Sequence, residues 1–98
     1  MIWSDEALND LETIYDFLVE KSQPAAQGTI ERILSRSKQL ETFPESGARQ
    51  EAVKATVKEY RYLVEGNYKL IYSYQPESQT VHIEIIFDTR YNPEKLKV

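Results

Sequence analysis

The stretch from Tyr60 to Arg90, YRYLVEGNYKLIYSYQPESQTVHIEIIFDTR, constrains the fold more than any other part of the chain. Three apolar runs rich in aromatic and β-branched residues are separated by Gly66-Asn67 and by Pro76-Glu77-Ser78-Gln79. Residues of this kind fit a pleated, half-buried surface, and the punctuation is that of hairpin turns. The pattern predicts an antiparallel meander with strands over Glu59–Val64, Tyr68–Gln75 and Thr80–Asp88.

Register decides which side chains share a face. A two-residue Gly66-Asn67 loop suits a type II′ turn, but it sets Arg61 beside Leu63, Leu70 and Tyr72. A three-residue loop of Glu65, Gly66 and Asn67, with Asn67 left-handed, gathers Tyr60, Tyr62, Val64, Tyr68, Leu70, Tyr72 and Tyr74 on one face. Arg61, Leu63, Lys69, Ile71 and Ser73 then share the other. A slip of one residue flips every side chain, so the cleaner segregation selects the three-residue loop. In the third strand Val81, Ile83, Ile85 and Phe87 alternate with His82, Glu84, Ile86 and Asp88, giving one apolar face and one mixed face.

Ahead of the meander lie two amphipathic segments. Met1-Ile2-Trp3 is a short apolar start, followed by Ser4 as an N-cap with Asp5 and Glu6 in the first turn, where the helix dipole favours acids. Leu8, Leu11, Ile14 or Tyr15, and Leu18 recur at helical spacing, and the helix ends near Lys21-Ser22. Asp10, Glu12, Asp16 and Glu20 form its opposite stripe, which reads first as a solvated face and second as a partner contact. Gln23-Pro24 opens a second helix with an inner stripe of Ala26, Ile30, Ile33, Leu34, Ser37 and Leu40, closed at Phe43-Pro44. Gly28 inside it marks a close approach to a neighbouring element. The two helices form a hairpin whose apolar stripes need the sheet to cover them. Leu11, Ile33, Leu70, Tyr72, Ile83 and Ile85 are expected to be buried together there.

Pro44-Glu45-Ser46-Gly47 is turn chemistry, and Arg49 follows. The segment Glu51–Lys58, carrying Lys54 and Lys58, fits a short helix, an extended lead into the sheet or a mobile stretch. After the meander the chain turns again at Asn92-Pro93.

Composition limits the chemistry. Ninety-eight residues make one domain, residues 1–98, with an economical core. No run reaches the roughly 20 apolar residues of a membrane span, and the first residues lack a signal-peptide pattern, so a cytoplasmic address is expected. Without cysteine there is no disulfide, thiol nucleophile or cysteine metal site, and one histidine makes no cluster. No metal or cofactor is expected. The net charge of −4 argues against a large nucleic-acid footprint, since phosphate binding rests on cationic surface.

Four motifs carry a family resemblance: W-S-x-x-A-x-x-D-L at Trp3–Leu11, P-x-x-G at Pro44–Gly47, G-N-Y-K-L-I-Y at Gly66–Tyr72, and V-x-I-x-x-I-F-D-T-R-x-N-P at Val81–Pro93. In this order and spacing they resemble the RelE/ParE superfamily of toxins from type II toxin–antitoxin modules, and the Asp88-Thr89-Arg90 and Asn92-Pro93 pattern is closer to ParE. The resemblance implies an α+β fold, β-α-α-β-β-β, with a short N-terminal strand and a helical hairpin packed on one face of a small antiparallel sheet. It implies a cognate antitoxin encoded beside the toxin, a toxin–antitoxin hetero-oligomer, and a role in plasmid stabilisation.

Two activities occur on that fold. ParE-like members poison DNA gyrase without being nucleases. RelE-like members cut messenger RNA on the ribosome, where a 2′-hydroxyl attack needs a base, an acid and cations around the phosphorane. Carried over from the resemblance, Lys69 and Arg90 match basic positions of the RelE-like set and Arg61 falls near one. Leu63 stands where a lysine is expected, and Tyr91 lies too close to Arg90 to match the catalytic tyrosine. The incomplete set favours the gyrase-poisoning reading, with no catalytic residue; Arg61, Lys69 and Arg90 are the suspects under the nuclease alternative. A non-toxic domain of the same fold is the third reading. The protein-binding candidates are Leu63, Lys69, Ile71, Ile86, Arg90 and Tyr91, on the mixed face and its exit. His82 and the seven tyrosines read as structural.

Overall fold

The computed structural model describes residues 1–49 and 59–90. The expectations for Glu51–Lys58, for Tyr91 and for the Asn92-Pro93 turn lie outside the described residues. The element order is β1 (Ile2–Trp3), α1 (Asp5–Val19), α2 (Gln23–Thr42), β2 (Ala48–Arg49), β3 (Tyr60–Glu65), β4 (Tyr68–Gln75) and β5 (Thr80–Asp88). Strands lie in the order β1-β5-β4-β3-β2, with β1 parallel to β5 and the other pairs antiparallel. The helical hairpin covers one face of this mixed sheet.

The helix ends follow from their caps. Ser4 Oγ accepts the Ala7 N–H at 2.9 Å, and Ser22 Oγ accepts the Ala25 N–H at 3.3 Å with Pro24 in the tolerated first turn. Ala7, Leu11 and Ile14 of α1 meet Ile33 and Leu40 of α2 and Leu63, Leu70, Tyr72, Val81, Ile83 and Ile86 of the sheet. Most of the predicted core is present.

Two register features depart from expectation. Glu65 pairs with Tyr68, Val64 with Lys69 and Leu63 with Leu70, so the first loop has two residues, not three. Gly66 takes φ +59° and Asn67 does not take a positive φ, which is the type II′ arrangement. The second departure is an irregularity between Ile71 and Tyr72 on β4, where Ile71 opposes Ile85 but Tyr72 opposes Ile83. Glu84 is therefore the extra residue of a bulge. Before it Val81 and Ile83 face the helices; after it Ile86 and Asp88 do, and Ile85 and Phe87 turn to the other face. Ile86 accordingly replaces Ile85 in the predicted core.

The bulge is held from α1. Its polar backbone is met by Ser4 Oγ, which donates to Glu84 O at 2.6 Å, and by the Asp10 carboxylate, which accepts the Ile86 N–H at 2.8 Å. Asp10 was expected on the solvated stripe; it is 7% exposed, because it falls on the same helical arc as Ala7, Leu11 and Ile14. Leu8, expected to face inward, is exposed instead.

The glycine that needs its missing side chain is Gly47, not Gly28. A Cβ on Gly28 would meet only the mobile end of Arg32 of its own helix, at 3.3 Å. One on Gly47 would stand 2.6 Å from both the Tyr62 carbonyl oxygen and the Tyr72 hydroxyl. The Gly47 N–H donates to that hydroxyl at 2.9 Å, so the end of P-x-x-G is seated directly on the core.

Candidate protein-binding face

The face of the sheet turned away from the helices is built by alternation on β3, β4 and β5. It carries Tyr60, Tyr62 and Val64, then Lys69, Ile71 and Ser73, then His82, Ile85 and Phe87. Ile71 and Phe87 are buried, Val64 is 46% exposed, and Tyr60, Tyr62, Lys69, His82 and Ile85 are half-buried.

Among the described residues, Lys69 is the cationic side chain of this face. Its ammonium lies 3.8 Å from the centroid of the Tyr62 ring, a cation–π contact. Partial burial holds its pKa below the ordinary lysine value, because desolvation penalises the charged form. Ser73 is 3% exposed, and its Oγ has no hydrogen-bond partner among the described residues.

The two-residue loop and the bulge redistribute the predicted contact residues. Lys69 and Ile71 are on the expected face, though Ile71 is buried within it. Leu63 and Ile86 are not: both point to the helices, at 4% and 1% exposure, and are core residues. Arg90 leaves the end of β5 and folds back on Asp88. Its Nε and Nη2 donate to the carboxylate at 3.2 and 2.9 Å, and its backbone N–H adds a third bond at 2.9 Å. These bonds, the side-chain one foremost, hold the Asp88 carboxyl below its ordinary pKa against the opposing effect of burial.

Arg61 sits on the helix side of the sheet, at a corner where the loop before β2 arrives. Its Nη1 donates to the carbonyls of Gly47 at 2.9 Å and Glu45 at 3.2 Å. Its Nη2 lies 3.1 Å from Glu59 and 3.7 Å from Glu45. The hollow beside it, about 440 Å³, is also lined by Glu77, and Glu59 is shared with Arg49, whose Nε lies 3.3 Å from the same carboxylate. Beneath it, burial raises the pKa of the Tyr72 phenol, which stays a neutral acceptor for Gly47. This corner fastens the Pro44–Gly47 loop.

Sequence reasoning missed Asp10 and Gly47 as positioning residues, although both stand in quoted motifs. The Ile85-Ile86 doublet, a break in strand alternation, was the available signal for the bulge.

The comparisons agree with this geometry. One solved structure, a chromosomal ParDE toxin–antitoxin system from P. aeruginosa, matches with a TM-score of 0.67 at 19% sequence identity, covering 88% of this chain and 90% of that one. At that identity the likeness is one of fold. No curated protein matches the chain. A family model described as the ParE toxin of type II toxin–antitoxin system, parDE, matches residues 1–92. The chain therefore belongs to the ParE toxins of type II toxin–antitoxin systems.

Proposed function

We propose that this ParE toxin acts by binding and poisoning DNA gyrase and is neutralised by a cognate antitoxin that engages the open face of the sheet. The observation that carries the reading is the fate of the cations. Arg61 is spent on the Pro44–Gly47 loop and on Glu59. Arg90 is chelated by Asp88. Leu63, at the position where a further lysine would serve a nuclease, is buried in the core. Among the described residues Lys69 is the cation left on this face, and one ammonium does not surround a phosphorane. A surface of half-exposed tyrosines and Val64 around one cation suits protein contact, in which aromatic residues supply most of the affinity.

The deciding experiment incubates the purified toxin separately with gyrase plus supercoiled plasmid and with translating ribosomes. A gyrase-dependent effect on the DNA, with message left intact, is the expected result. Cleavage of ribosome-bound message would overturn it. Arg90→Ala should then slow cleavage by about two to three powers of ten, the scale on which loss of one transition-state charge partner acts.

A further inference from the structure

Lys69 differs from the other cations of the strands. Arg61 and Arg90 both end on carboxylates within the chain. Among the described residues, no ion pair joins a carboxylate to Lys69. The ammonium is nevertheless fixed, because it rests on the Tyr62 ring while its stem lies beside Val64, its direct cross-strand neighbour. A flexible lysine with no partner ordinarily extends into water, where its charge is best solvated. Here the charge is partly desolvated and its position set in advance, which lowers the entropy cost of meeting an anion.

We infer that Lys69, held over Tyr62, is the docking point for an acidic side chain of the cognate antitoxin. The inference rests on the antitoxin reading given above. A carboxylate fits better than a phosphate backbone: the chain carries a net charge of −4, and nucleic-acid affinity needs several cations acting together. Val64, exposed beside Lys69, adds an apolar ledge. The matching antitoxin element is therefore an Asp or Glu next to an apolar residue that lies on Val64 and the edge of Tyr62.

The test is a double-substitution series read by calorimetry. Wild-type toxin, Lys69→Met, Lys69→Gln and Lys69→Arg are each titrated with the antitoxin, and with antitoxin variants in which one Asp or Glu at a time becomes its amide. Circular dichroism confirms that each toxin variant is folded. Lys69→Met and Lys69→Gln should weaken binding about tenfold or more, the scale of a close interfacial charge pair, and Lys69→Arg should restore most of it. One antitoxin amide variant should weaken binding to the wild type by a similar factor and add little on Lys69→Met. Unchanged affinity of both neutral variants, or additive losses at every acidic position, would overturn the inference while leaving antitoxin binding intact. If wild-type toxin itself fails to bind the antitoxin, the antitoxin reading falls and this inference with it.

Discussion

The two faces of the sheet treat their polar groups in opposite ways. On the helix-covered face, Asp10 accepts the Ile86 N–H, Tyr72 accepts the Gly47 N–H, and Arg61 is shared among Glu45, Gly47 and Glu59. Each of these three groups ties one element to another. Among the described residues of the open face, Lys69 has an aromatic ring but no counter-charge, and Ser73 Oγ has no hydrogen-bond partner. A group left unmatched is a cost in an isolated monomer and an opportunity in a complex. The covered face is finished by folding, whereas the open face leaves Lys69 without a counter-charge among the described residues.

That contrast is open to measurement, and the largest effects belong to the covered face. Leu63→Ala should cost roughly 2–5 kcal/mol in urea unfolding, as for a buried leucine that leaves a cavity. A loss under about 1 kcal/mol would return Leu63 to the open face and restore the three-residue loop. Gly47→Ala should destabilise by about 3 kcal/mol, because the added methyl meets the Tyr62 backbone and cannot be relieved by a rotamer change. Asp10→Ala should cost about 1–3 kcal/mol, the penalty of leaving the Ile86 N–H buried without an acceptor. Hydrogen exchange at Ile86 should quicken in the same variant.

Smaller effects follow at the rim. Asp88 is held below its ordinary pKa of 3.8, chiefly by the Arg90 hydrogen bond. A depressed carboxylate contributes stability that is fully present above that ordinary value and is lost as pH falls through the lower folded value. Arg90→Ala should therefore cost less than about 1 kcal/mol at neutral pH and flatten the acid limb of the stability curve below 3.8. Smallest of all, Lys69→Met should change unfolding stability by no more than about 0.5 kcal/mol, even though it is the substitution expected to damage antitoxin binding most. A large stability loss there would erase the distinction between the faces.

Element identity was legible because it rests on local chemistry. Ser4 and Ser22 as caps, Pro24 in a first turn and Pro44 after α2 place the helices, while the turn residues place β3, β4 and β5 nearly to the residue. Facing was less legible, for a physical reason. Tyrosine tolerates either side of a sheet: Tyr68 and Tyr72 point to the helices, whereas Tyr60 and Tyr62 point away. Gathering all the tyrosines on one face therefore misassigned the loop. The two-residue alternative lost only because it placed Arg61 among leucines. Arg61 tolerates that side because it reaches a loop carbonyl and two carboxylates at the corner. The bulge was harder still, since its support comes from Ser4 and Asp10, far away in sequence. Of the candidate site, Lys69 was placed correctly from alternation; Leu63 and Ile86 moved inward with the corrected parity.

The anchors from α1 to the bulge also set an order of assembly. The β3–β4 and β4–β5 hairpins close short loops, a process of about 1–10 μs. Ser4 meets Glu84, and Asp10 meets Ile86, only across separations of 80 and 76 residues, and closing a longer loop is entropically more costly. Although Trp3, Ser4 and Asp10 leave the ribosome first, they wait for β5 before they find their places. Until then β1 has no parallel neighbour and the Glu84 bulge has no clamp, so Ile86 and Asp88 are free to take the opposite parity. The parity of Ile86 and Asp88 is thus fixed only when β5 meets Ser4 and Asp10.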